Sequence, residues 1–253
     1  MRYLAVFVIL LAAIAPAPAA EPPTTGVVAE VVDGDTVRLA GGGEVRLVGI
    51  QAPKLPLGRP GFAAWPLAQE ARAALERMVL GRRVSLWFGG RRMDRHGRWL
   101  AHLADDEGRW VQGEMLAQGW ARVYTFPDNR ARAAEMLARE AEAREAKRGI
   151  WAHPYYRILS ADGASGHEDT FQLVEGRVRT VAERRSRTYV NFGEDYRSDF
   201  TITLDAAARR AFRDAGFDVA GLEGRRVRVR GWMKDWNGPM IEVTHPEQIE
   251  VLP

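Results

Sequence analysis

Residues 26 to 50 constrain this chain more than any other stretch. They alternate apolar and polar residues for long enough to require β structure. Gly26 to Val32 makes one strand. Asp33-Gly34-Asp35 is a tight turn, with a glycine free to take positive φ. Thr36 to Leu39 returns, Gly41-Gly42-Gly43 turns again, and Glu44 to Ile50 is a third strand. A proline-rich loop follows, with Pro53, Pro56 and Pro60. Trp65-Pro66 then opens a helix, with Leu67, Ala71, Ala74, Leu75 and Met78 at helical spacing and Gly81 as its stop. Arg83 to Phe88 and Trp99 to Leu103 read as strands, joined by a loop carrying Asp94-Arg95-His96-Gly97-Arg98. Trp110 to Gln118 is a short helix, and Asp128 can cap a longer one that ends near Gly149.

The polar stretch from Ser160 to Gly166 divides the chain. It sets a first domain over 21–157, a linker over 158–170 and a second domain over 171–253. In the second, Phe171 to Val181, Thr188 to Phe192 and Asp199 to Leu204 are strand-like. Ala206 to Ala215 is a helix stopped by Gly216, and Arg226 to Trp232, Met240 to Val243 and Gln248 to Leu252 are extended. Three strands, a helix and two more strands match a small OB-type barrel, with a β-sandwich fragment as the alternative.

Before residue 21 the chain has another character. Arg2 precedes an apolar run from Tyr3 to Ala15, and Ala17-Pro18-Ala19 forms a small-residue cleavage site. Residues 1–20 read as a signal peptide cut after Ala19 or Ala20, with no stable membrane insertion afterwards. The expected location is therefore periplasmic or secreted. The chain contains no cysteine, which suits export and excludes disulfide scaffolds, thiol catalysis and Cys-ligated zinc or iron–sulfur clusters. Lys and Arg number 36 against 33 Asp and Glu, so a basic site has to be built by local clustering.

Four segments carry chemistry: Val32-Asp33-Gly34-Asp35-Thr36-Val37, Val45 to Lys54, Asp94 to Ala101 and Val111 to Tyr124. In this order they resemble the thermonuclease (staphylococcal-nuclease-like) family over residues 26–152. The resemblance implies a mainly β plus α fold, an OB-type five-stranded barrel with three helices. It also implies metal-assisted phosphodiester hydrolysis. A calcium ion would sit against Asp35, the residue at position 51 and the carbonyl of Ala52. Arg46 and Arg98 would hold the scissile phosphate, and the residue at position 54 would activate water. His96 and Tyr124 fall where the family stacks the substrate base.

This chain departs from the family at two places. Position 51 is Gln51, an uncharged oxygen donor, where the family has Asp. Position 54 is Lys54, where it has Glu. An ammonium beside a divalent cation costs several kcal/mol even at an effective dielectric near 20. Lys54 is thus expected to serve as a built-in counter-ion for Asp33 and Asp35, with calcium weakly held at most. The expected function is binding of single-stranded or flexible nucleic acid with impaired hydrolysis. The alternatives are an active calcium-dependent nuclease with a rearranged site and an envelope module that contacts a protein partner. In the second domain, Arg226, Arg228 and Arg230 share one strand face, with Tyr189, Phe192, Tyr196, Trp232 and Trp236 nearby in sequence. That row is the candidate for a secondary nucleic-acid site.

Overall fold

The computed structural model describes residues 23–253. The expected signal peptide lies outside the described residues. Within them no helix is long and apolar enough to cross a membrane.

Alternation in the first stretch produces the expected meander. Strands β1 (Thr25–Asp33), β2 (Thr36–Leu39) and β3 (Glu44–Leu47) are joined by the two short turns. With β5 (Arg83–Trp87) and β6 (Trp99–Ala104) they close a barrel in the order β1-β2-β3-β6-β5, with β3 and β6 parallel. Closure depends on β1 serving two partners. Thr25 to Val27 pair with β5, and Val28 to Asp33 pair with β2. The residues that alternate inward, among them Val31, Val37, Val45 and Leu47, fill the core together with Leu75, Leu103 and Met115.

Two expectations about this first stretch change. The third strand does not run to Ile50. It breaks at Val48, whose amide turns to the carbonyl of Ala101, and residues Gly49–Gln51 form β4, which leaves the barrel to pair with β7 (Arg122–Tyr124). Gly34 is not in the left-handed region. It is required for space, because a Cβ there would lie 2.6 Å from Ala52 Cβ and 3.0 Å from Ala71 Cβ. The Asp-Gly-Asp turn is thereby pressed between the Ala52 loop and the first helix.

Helices α1 (Ala68–Val79), α2 (Val111–Ala117) and α3 (Ala133–Glu145) complete the first unit. The third starts later than expected. Asp128 does not cap it; the chain turns at Phe126 to Asn129, and Arg132 enters the helix in the left-handed conformation. The polar stretch after it is partly built in, since β8 (Leu159–Ser160) runs parallel to β9 (Phe171–Arg177).

The second unit repeats the first one's plan. Its strands are β9, β10 (Thr180–Glu183), β11 (Arg187–Asn191), β12 (Thr201–Asp205), β13 (Arg226–Asp235), β14 (Pro239–Glu242) and β15 (Ile249–Val251). The expected run Phe171 to Val181 is a bent strand, interrupted at Val178 and Arg179. Their amides still bond to the carbonyls of Arg225 and Asn191. The half before the bend pairs with β13 and the half after it with β11, which brings the sheet round on itself. As in the first barrel, the third and fifth strands are parallel (β12 with β14) and a helix, α4 (Ala206–Asp214), joins the third to the fourth. The Asp205 carboxylate accepts from the Ala208 amide at 2.8 Å and caps that helix.

Candidate functional site

Asp33 and Asp35 stand at the end of the first hairpin, both buried. The Asp33 carboxylate accepts from the Asp35 amide at 3.0 Å, which holds the turn. Lys54 reaches them from the loop after β4. Its ammonium lies 3.2 Å from Asp33 Oδ2 and 2.6 and 2.7 Å from the two oxygens of Asp35. Asp35 Oδ2 also accepts from the Ala52 amide at 2.7 Å and lies 3.2 Å from an Arg46 guanidinium nitrogen. Burial pushes both carboxyls up, but with opposite outcomes. In Asp35 the Arg46 and Lys54 charges outweigh burial and hold the group well below the usual carboxylate range. In Asp33 burial and then repulsion by Asp35 win, and the group is raised. Asp35 therefore carries the firm negative charge against Lys54.

Arg46 is more a structural cation than an open one. Its guanidinium donates to the carbonyls of Leu47 and Ile50 at 2.6 Å each and of Asp35 at 3.2 Å. It still borders a cleft of about 420 Å³ between β3, β4 and the 91–98 loop. Four arginines (Arg46, Arg91, Arg95 and Arg98) face two aspartates (Asp94 and Asp128) around this cleft. Arg98 is oriented by Asp94, which accepts at 2.8 Å from both Nε and Nη2, so its remaining donors are available. The same carboxylate accepts from the His96 and Arg98 amides, which fixes the loop and lowers the Asp94 pKa against the opposing effect of burial. His96 and Tyr124 both line the cleft.

Sequence reading missed Arg91, Arg95, Phe126 and Asn129. Phe126 is exposed and packs edge-on against Tyr124, with centroids 4.8 Å apart. Asn129 donates to the Arg91 carbonyl at 2.8 Å. The Arg91-Arg92 pair just before the Asp94 loop was the local signal for a larger basic lining.

The donor set does not fit a calcium ion. Such an ion needs several oxygens with free lone pairs and net negative charge. Here both Asp35 oxygens and Asp33 Oδ2 are spent on Lys54. Gln51, expected at the metal's edge, is turned away, its Oε1 accepting from Arg122 Nε at 2.9 Å. The two carboxylates already face two cations. Among the described residues no cluster of three or more His, Asp or Glu is placed to hold a metal.

The Arg row of β13 is also placed differently from expectation. Arg230 is 1% exposed and donates to Glu140 of α3 at 2.7 and 3.1 Å, as well as to Glu250. Arg228 bonds Glu175 and Glu250, and Arg226 bonds Glu175. The alternation sets these three arginines on one face, but only its Arg226 end is open to solvent; Arg228 is half-buried against acids and Arg230 is buried against the first barrel. Around it the two barrels are further joined. Thr125 Oγ1 meets His245 Nε2 at 2.8 Å, Arg130 meets Glu247, and Trp232 Nε1 donates to the Tyr124 hydroxyl at 2.8 Å. Tyr124 thus borders the cleft while its hydroxyl is held by the second barrel.

Comparison with known proteins agrees with the fold of the first barrel. The family described as Staphylococcal nuclease homologue matches residues 44–153. Protein ParB of Escherichia coli is 36% identical over 141 residues, covering 51% of this chain and 73% of ParB. Probable endonuclease LCL3 of Schizophyllum commune is 34% identical over 123 residues, 43% of this chain and 40% of LCL3. Endonuclease YhcR of Bacillus subtilis is 28% identical over 144 residues, 53% of this chain and 12% of YhcR.

Proposed function

The chain belongs to the staphylococcal nuclease homologue family, and on that footing we propose that its first barrel binds the phosphodiester backbone of single-stranded or flexible nucleic acid while hydrolysing it poorly or not at all. The observation that carries this reading is the ammonium of Lys54, seated within hydrogen-bond distance of both Asp33 and Asp35. Hydrolysis needs a base to take a proton from the attacking water. An amine whose hydrogens are directed at the carboxylate oxygens of Asp33 and Asp35 acts there as a hydrogen-bond donor and does not supply that base. Binding asks for less. Arg98 presents a guanidinium already aimed by Asp94, and Arg91 and Arg95 add charge along the same cleft. Arginine forks match phosphate oxygens two at a time, and the half-buried ring of Tyr124 and the exposed ring of Phe126 offer faces against which a base can stack.

An active calcium-dependent nuclease is the second reading, favoured by the endonuclease names of the relatives. A nuclease zymogram run with calcium and with chelator separates the two. Under our reading the purified protein leaves DNA intact in both. The double substitution Gln51→Asp with Lys54→Glu then gains calcium-dependent cleavage. A clearing band from the unaltered protein that vanishes with chelator would sink the proposal. The amino-terminal segment adds export to the reading, and sequencing the amino terminus of the mature protein from the cell envelope tests it.

A further inference from the structure

Three of the aromatic residues that sequence places near the β13 arginines gather elsewhere. Tyr189, Tyr196 and Trp236 line a separate cleft of about 390 Å³ on the outer face of the second barrel. Its floor is set by register. Tyr189 on β11 lies opposite Thr203 on β12, and Asn191 opposite Thr201, so these four point to one side. Val190, Ile202 and Leu204 fill the core beneath. Two loops form the walls. The β13–β14 hairpin turns through Trp236, Asn237 and Gly238, and the β11–β12 loop carries Tyr196. Gly238 takes φ +88°, and a Cβ there would lie 2.6 Å from the Ser198 carbonyl oxygen. The hairpin tip therefore lies close against the other loop at Ser198.

Three features point to a ligand. Trp236 is 68% exposed and Tyr196 58%, large rings left in water on opposed walls of a preformed cleft. Thr203 is fully buried at the floor, and its hydroxyl has no hydrogen-bond partner. The charge is cationic. Arg184 lines the cleft and Arg197 stacks beside Tyr196 at 5.4 Å, and no carboxylate among the described residues lies within salt-bridge distance of either guanidinium. No acidic residue lines the cleft. This is the reverse of the β13 row, where every guanidinium is consumed by glutamates.

We infer that this cleft binds single-stranded nucleic acid, with bases stacked on Trp236 and Tyr196 and phosphates met by Arg184 and Arg197. The site is separate from the arginine cleft of the first barrel and does not depend on what that cleft does. Flat rings with neutral amide and hydroxyl groups suit bases of any sequence, and guanidiniums at the rim suit the backbone.

The test uses the purified protein in chelator and a fluorescein-labelled oligothymidylate of about 12 nucleotides, followed by anisotropy. Replacing Trp236 and Tyr196 together by alanine weakens binding about tenfold or more. Arg184→Ala lowers the slope of log affinity against log salt by about one. Trp236→Phe keeps a stacking face and retains most of the affinity, whereas Trp236→Leu loses it. Since both rings are largely in water, melting temperatures should hold. All of these variants are compared in an Arg98→Ala background, which weakens the first barrel's cleft so that the loss is read at the second. Undiminished binding by the double alanine variant overturns the inference, as does equal binding by the Leu and Phe variants. Displacement of the oligonucleotide by a neutral chito-oligosaccharide overturns it as well and assigns the face to sugars.

Discussion

The two barrels share a strand order, a parallel third-to-fifth pairing, a helix between third and fourth strands, and a first strand that serves two partners. They differ in what they do with charge. The first buries an aspartate pair against Lys54 and leaves Arg95 and Arg98 along an open cleft. The second spends its most regular arginine row on glutamates, one of them on a helix of the first barrel. The lesson is that arginine count says little about a polyanion site until the carboxylates are subtracted. The same residue type acts as a clamp in one barrel and as a phosphate ligand candidate in the other, decided by its neighbours.

That contrast can be broken most severely at Glu140. This carboxylate is buried and serves Arg230, Arg144 and the Val123 amide at once. Glu140→Leu leaves buried Arg230 with Glu250 as its remaining carboxylate and strips the Val123 amide of its acceptor, and should cost about 3 kcal/mol in urea unfolding. Adding Arg230→Met to it should recover much of the loss, because removing both charges also removes their desolvation cost. A single variant as stable as the parent would show that the clamp is idle.

Acid probes a matched pair of histidines next. Burial, reinforced by nearby arginines, lowers His102, covered by Trp87 and Trp110 on the outer face of β6, and His245 between the barrels to about 4, from an ordinary 6.5. The folded chain keeps both neutral while the unfolded chain takes up protons below about 6.5. The stability they contribute is thus complete above that pH and drains away as pH falls toward 4, by about 3 kcal/mol for each at most. Unfolding curves between pH 7 and pH 4.5 should steepen in this sense, and His245→Gln should remove about one proton from the slope. A His245→Gln slope equal to the parent's would mean the imidazole between the barrels titrates normally.

The smallest effect sharpens the comparison most directly. With the second barrel's cleft disabled by Trp236→Ala and Tyr196→Ala, Arg98→Ala should weaken nucleic-acid binding about tenfold and reduce the salt slope by about one. Arg228→Ala, whose guanidinium is already held by Glu175 and Glu250, should leave both unchanged. Equal losses in a filter-binding titration would erase the distinction between paired and available arginines.

Much of this was legible along the chain. Alternation and glycine-bearing turns gave the meander, and the order Asp33, Asp35, Arg46, Lys54, Arg98 placed the hairpin and its cation. What stayed hidden depends on residues far apart in sequence. Gln51 is drawn to Arg122, and Arg230 to Glu140, over separations no local pattern encodes. The β13 alternation correctly separated Val227 and Val229 from the arginines, yet period two gives a face without saying what lies against it. Gly34 was read as a conformational glycine and proved to be a spacing one, because the bodies it clears, Ala52 and Ala71, come from a loop and a helix that follow it.

A cation tethered by four methylenes cannot be chelated, diluted or exchanged. The hairpin that Lys54 braces should hold its shape in EDTA as in millimolar calcium, and on the proposed reading nucleic-acid binding by the first barrel should be equally indifferent to divalent ions.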